Sequence, residues 1–169
     1  MDFTQAVISR RSVRKYLPEH VDLEIVKQCI LLWMHAPSAH NEQPWEFFIS
    51  ENKEILNNLW KNLKYGKMLP TASCVICVAY RPNDLRSLDY IQQDLSACIQ
   101  TILLALHDKW LWWVRLWTYP NEENCEIVKN TFNLWNEIQP FALISVWKPD
   151  PTEEYFEKTC EIEEKIHII

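Results

Sequence analysis

The apolar positions of this 169-residue chain change period several times, and each change predicts an element. Phe3, Ala6, Val7 and Arg10 fall at helical spacing and predict a short helix over residues 3–11. Asp22 can cap a second helix reaching about His35, with Ile25, Cys29, Leu32 and Trp33 as its buried stripe and Pro37 as its stop. Trp45, Phe47, Phe48 and Ile49 predict a strand running through Ser50. Residues 53–64 read as an amphipathic helix with Ile55, Leu56, Leu59 and Leu63 inward. Tyr65–Pro70 is a loop, in which Lys67 reads as a solvated lysine. The unbroken apolar run from Ser73 to Tyr80 predicts a central buried strand, turned by residues 81–84. From about Leu88 to Lys109 a long helix carries Ile91, Leu95, Cys98, Ile102 and Leu106 as a narrow seam. The seam fits a core contact and a dimer contact equally well. A strand over 112–118, a helix over Glu122–Phe132 capped by Asn121, and a strand over Pro140–Val146 follow.

Composition narrows the class. The length suits one domain, residues 1–169, with a sizeable core, and 48% hydrophobic residues is a globular value. A formal net charge of −6 argues against non-specific nucleic-acid binding, which needs a basic face. No apolar run is long enough to cross a bilayer, and Met1-Asp2-Phe3-Thr4 lacks a signal-peptide pattern. A cytoplasmic, membrane-free protein is therefore expected. Cys29, Cys98 and Cys125 sit in helical patterns and Cys160 near the tail. Cys74 and Cys77 form a C-x-x-C within the buried run, where residues three apart face opposite sides. They read as core cysteines, and no metal site is expected.

Two polar stretches stand out. Arg10, Arg11, Arg14 and Lys15 place four cations in six residues beside Ser12. Such a cluster is either a solvated patch or a phosphate grip, since guanidinium groups bind phosphate bidentately. The stretch Ala36–Phe48 packs Ser38, His40, Asn41 and Gln43 between two prolines, between a helix end and a strand start. A rigid loop of this kind suits a planar, polar ligand.

Together, Arg10-Arg11-Ser12-Val13-Arg14-Lys15-Tyr16 and Ala36-Pro37-Ser38-Ala39-His40-Asn41-Glu42-Gln43-Pro44-Trp45 resemble the nitroreductase family of FMN-dependent NAD(P)H oxidoreductases. The resemblance covers nearly the whole chain. With the alternation of strands and helices it implies an α+β sandwich, a central mixed sheet covered by helices around the long central one. It implies FMN as cofactor, NADH or NADPH as electron donor, and a small electron-poor acceptor such as a nitroaromatic or quinone. It implies a homodimer whose subunits both contribute to each site, built here around the seam of the long helix. Arg10, Arg11 and Ser12 would meet the FMN phosphate and Arg14 would lie nearer the ring. Pro37, Ser38, Ala39, Asn41 and Gln43 would hydrogen-bond or line the flavin edges, with Leu111, Trp112 and Trp113 close by. Lys165 would return to the phosphate. No side chain is expected to act as a catalytic acid or nucleophile. The alternative is a flavin-binding or inactive interaction protein of the same fold.

One departure is large. The chain has one glycine, Gly66, and nine tryptophans, where about twelve glycines are ordinary. Trp110-Leu111-Trp112-Trp113-Val114-Arg115-Leu116-Trp117 falls where the family carries a turn like Gly-Leu-Gly-x-x-x-x-Gly, and Trp33 and Trp147 also fall where relatives often carry glycine. Trp45 is a family tryptophan. One reading is that most of these codons are UGA, read as glycine in the source; the other is a genuine aromatic cluster serving as a stacking platform. Genuine rings in the turn would obstruct a flavin.

Overall fold

The computed structural model describes residues 1–17, 19–148, 150, 152 and 163–169. Among the described residues, five α-helices surround a four-stranded sheet: α1 (Phe3–Ser9), α2 (Leu23–Trp33), β1 (Trp45–Ser50), α3 (Lys53–Asn62), β2 (Cys74–Tyr80), α4 (Ile91–Asp108), β3 (Trp112–Trp117), α5 (Glu122–Phe132) and β4 (Gln139–Trp147). The sheet runs β1-β2-β4-β3, and each neighbouring pair is antiparallel. A parallel bridge joins Ser12 to Trp113, where the segment after α1 lies along β3.

β2 explains the layering. Cys74, Ile76, Val78 and Tyr80 join one core with α2 and α4; Val75, Cys77 and Ala79 join a second core with α3, α5 and the turn at Leu69. Covering both faces turns period-two alternation into a continuous apolar run. The C-x-x-C pair is thus divided between two cores, as its spacing predicts. Burial pushes Cys74 up to about 12 and raises Cys77 further, so neither thiol forms a thiolate readily.

Caps set the helix starts. The side chains of Asp2, Asp22, Asn52 and Asn121 each accept a hydrogen bond from the first-turn backbone of α1, α2, α3 and α5. Two expected faces are corrected. In α2 the buried residues are Val26, Cys29, Ile30 and Trp33, while Ile25 and Leu32 are exposed, because packing against α4 rotates the helix relative to the apolar stripe. α1 stops at Ser9, Phe3 and Val7 face solvent, and Arg10 turns extended so that the next residues can run along β3.

α4 corrects a third expectation. Ile91, Leu95, Cys98, Ile102 and Leu106 are all at most 5% exposed, inside the chain's own core. The seam is consumed by the fold and offers nothing to a second subunit. Cys160 lies outside the described residues. Among the described residues, no helix is long and apolar enough to cross a membrane.

Candidate functional site

The basic cluster is positioned by the edge of β3. Val13 donates its N–H to the Trp113 carbonyl at 3.1 Å and buries its side chain in the second core. This pins residues 10–14 beside the turn at Leu111–Trp113. The half-buried Arg10 guanidinium lies 5.3 Å from the Trp113 ring centroid. Arg11 turns one nitrogen back onto the carbonyls of Ile8 and Arg10, at 2.6 and 2.8 Å. Ser12 and Arg14 are exposed. Burial, and then the neighbouring Arg11, lowers the Arg10 pKa.

Arg14 also borders an open cavity of about 1160 Å³ shared with Lys64, Lys67, Arg115 and Glu123. Four cations face one carboxylate there, so the cavity favours an anionic guest. Arg115 carries the clearest sign of one. Its Nε and Nη2 are buried without a hydrogen-bond partner among the described residues, its guanidinium stacks 3.9 Å from the Trp117 ring centroid, and burial lowers its pKa to about 10. Lys67, read from the sequence as solvated, is exposed at this cavity's wall.

The rings of Trp112 and Trp113 enter opposite cores and are 8% and 1% exposed. The rings of Trp110 and Trp117, by contrast, are 65% and 67% exposed, and Trp117 lines the cavity. What residues 111–113 offer a ligand is chiefly backbone, because Leu111 is buried as well.

The polar loop is built elsewhere. Ala39 donates its N–H to both carboxylate oxygens of Asp94, at 3.1 Å each, in the first turn of α4. Glu42 accepts from the backbone N–H groups of Arg86 and Ser87. Gln43 donates its N–H to Ser38 Oγ at 3.0 Å. These bonds hold His40, Asn41 and Gln43 at φ of 51°, 55° and 49°, in the left-handed region. Pro37, Asn41 and Gln43 are exposed, and Ser38 and Ala39 half-exposed, so the loop presents polar edges to solvent. Neither Asp94 nor Glu42 stands out in the sequence. The signal for Asp94 is a carboxylate that helical spacing sets beside the apolar seam of α4, where it is buried.

The predicted residues therefore form two groups. The loop is tied to α4 at Asp94, while Leu111 donates its N–H to the Leu106 carbonyl and the Trp113 indole donates to the Leu103 carbonyl. With a rise of about 1.5 Å per residue, the anchors at Asp94 and Leu106 lie roughly 18 Å apart along the axis. Lys165 sits exposed in the short turn Glu163–Lys165 and belongs to neither described group.

His107 backs the cationic group. Ser9 Oγ donates to the Gln5 carbonyl at 2.6 Å, which leaves its oxygen to accept from His107 Nε2 at 2.8 Å. Burial, then Arg10 and Arg11, lowers the His107 pKa, with Asp108 acting in the opposite direction. The fold thus favours neutral His107, whereas the unfolded chain protonates near the ordinary value of about 6.5. This contribution to stability is intact above that pH and is lost as pH falls through it toward the folded pKa. His107→Gln is expected to flatten the fall in melting temperature between about pH 7 and 5. An unchanged profile in thermal melts would remove His107 from that role.

A family model described as "Nitroreductase family" matches residues 7–64. An Archaeoglobus fulgidus protein named "Putative NADH dehydrogenase/NAD(P)H nitroreductase" is 32% identical over 152 residues, covering 89% of this chain and 87% of that protein. A crystal structure from Bacteroides thetaiotaomicron bearing the same name superimposes with a TM-score of 0.89 at 31% identity, covering 98% of this chain and 95% of that one. A Desulfovibrio desulfuricans chain crystallised in complex with FMN shares the fold, with a TM-score of 0.79 at 24% identity over 92% and 91% of the two chains. Near-complete coverage at this identity, on a fold matched throughout, establishes that the chain belongs to the nitroreductase family.

Proposed function

We propose that the protein is an FMN-dependent oxidoreductase that draws electrons from NADH or NADPH and reduces small electron-poor acceptors such as nitroaromatics or quinones. The observation that carries this reading is the cationic site beside β3: Arg10 to Arg14 pinned against the backbone of Leu111–Trp113, with the unpartnered donors of Arg115 in the adjoining cavity. Those donors, and that surplus of positive charge, suit a phosphorylated, anionic cofactor.

FMN, when bound, would supply hydride acceptance and donation. The chain's own residues would bind and orient it. Arg10, Arg11 and Ser12 would hold the phosphate. Arg14 would place positive charge near the ring, where it favours an anionic form. Ser38, Asn41 and Gln43 hydrogen-bond its polar edges, Pro37 and Ala39 line them, and Lys165 adds a phosphate contact. No side chain is required as a proton donor.

The two groups, about 18 Å apart on one α4, complete each other when a second copy brings its polar loop to this copy's cationic group. Exposed Val7 and Ile8 of α1, and Leu31 and Leu32 of α2, supply apolar surface for that homodimer. Sedimentation at micromolar concentration should give a dimer; a monomer at all concentrations opposes a shared site.

The deciding experiment is a pair of spectra. The purified protein should carry a flavin band, which NAD(P)H bleaches and a quinone restores. A colourless protein that takes up no added FMN defeats the reading, and a yellow one that NAD(P)H does not bleach is a flavin-binding module. Asn41→Asp should lower the flavin midpoint potential more than Asn41→Ala does, because a carboxylate only accepts and repels the ring that becomes anionic on reduction. A redox titration with an unchanged or raised Asn41→Asp midpoint removes Asn41 from the flavin.

A further inference from the structure

Two α-helices of this fold end in the same way. At the end of α5, Asn133 takes φ 51° while Asn133 and Leu134 donate back to the carbonyls of Asn130 and Lys129. At the end of α4, Trp110 takes φ 56° while Trp110 and Leu111 donate to the carbonyls of His107 and Leu106, both at 2.9 Å. Both are Schellman turns, whose left-handed residue is usually glycine and sometimes asparagine. Asparagine tolerates that conformation; a bulky aromatic there is an outlier. Trp110 also gains little by its side chain, which is 65% exposed.

Two further tryptophans misfit differently. Trp33 and Trp147 are 0% exposed, and each buries an indole N–H with no hydrogen-bond partner among the described residues. A buried tryptophan ordinarily finds one. Trp113 does so, donating to Leu103 at 2.9 Å, and the inference does not extend to it. Trp147 is also crowded: its ring centroid lies 3.4 Å from that of Tyr16 at a tilt of 32°, inside the roughly 4.5–7 Å at which aromatic rings pair. Trp45 has none of these features, being neither at positive φ nor among the orphaned donors.

We propose that Trp33, Trp110 and Trp147 are glycines in the protein as its source makes it, their codons being UGA read there as glycine. One cause accounts for a left-handed cap without glycine, two orphaned buried indoles, an overpacked ring pair, and a composition of one glycine against nine tryptophans. Glycine at 110 also removes the side chain from a turn whose backbone borders the cationic group.

The codons are read first: UGA at all three positions with UGG at Trp45 is expected, with glycine in the matching peptides of the native protein by mass spectrometry. A synthetic gene then tests the turn. Trp110→Gly should melt about 2–4 °C above the tryptophan chain, since the strain at one left-handed position is relieved. UGG at any of the three positions, tryptophan in the native peptides, or a Trp110→Gly melting point no higher than the parent's overturns the proposal. Neither measurement involves FMN, so this inference and the proposed function fail separately.

Discussion

Asp94→Ala is expected to cost about 3 kcal/mol of stability and to abolish FMN binding, two effects with one origin. Both oxygens of this buried carboxylate accept from the Ala39 N–H. Hydrogen bonds to a charged acceptor contribute roughly 1.5–3 kcal/mol, and removal leaves a part-buried N–H unsatisfied. The loop it holds stores strain at three left-handed residues, His40, Asn41 and Gln43. Without the anchor those residues relax, and the edges that would meet the flavin lose their geometry. Asp94→Asn is the control. It keeps the shape and one acceptor, so its losses should be smaller in both respects. Urea unfolding and flavin-fluorescence titration measure the two effects. Asp94→Ala with unaltered stability and affinity would show that the loop holds its shape unaided.

Arg10→Ala should weaken FMN binding by about 10- to 100-fold, the equivalent of one charge-assisted hydrogen bond to phosphate. The Arg10 guanidinium is already partly withdrawn from water beside Trp113, and Arg11 repels it, so a dianionic phosphate suits its position. Lys15 is exposed on the same segment, where its charge adds to the Thr152 hydrogen bonds that lower the Asp150 pKa, outside the group around Trp113. Lys15→Ala should therefore change the dissociation constant little. Equal, negligible effects from both substitutions would reduce the cluster to surface charge. The salt dependence of binding gives a second reading, because a phosphate contact weakens with ionic strength while a packing contact does not.

The two predictions differ in how their residues were found. Arg10 was legible because a run of cations beside a hydroxyl is a local pattern with few uses. Asp94 was not, because a carboxylate at one helix position has no meaning until the chain that meets it is known. Glu42 is similar: it lies inside the polar stretch but acts on the backbone of residues 86 and 87, more than forty positions away. The phase of α2 failed for a related reason. Ile25 and Leu32 satisfy helical spacing as well as Val26 and Ile30 do, and only the position of α4 chooses between them. The seam of α4 was found residue for residue, yet its pattern could not say whether its partner was the same chain or another.

By itself the sequence determined the elements: the caps at Asp22 and Asn121, the doubly buried β2, the long central helix, and the two motifs that identify the family. These are properties of residues a few positions apart, where sterics, capping and period act directly. Tertiary structure alone decided which apolar face is buried and that the tryptophans at 112 and 113 turn into the cores. It also decided that the basic cluster and the polar loop are tied to opposite ends of α4. A motif specifies its own local geometry, whereas the distance between two motifs is set by the rigid helix to which both are tied.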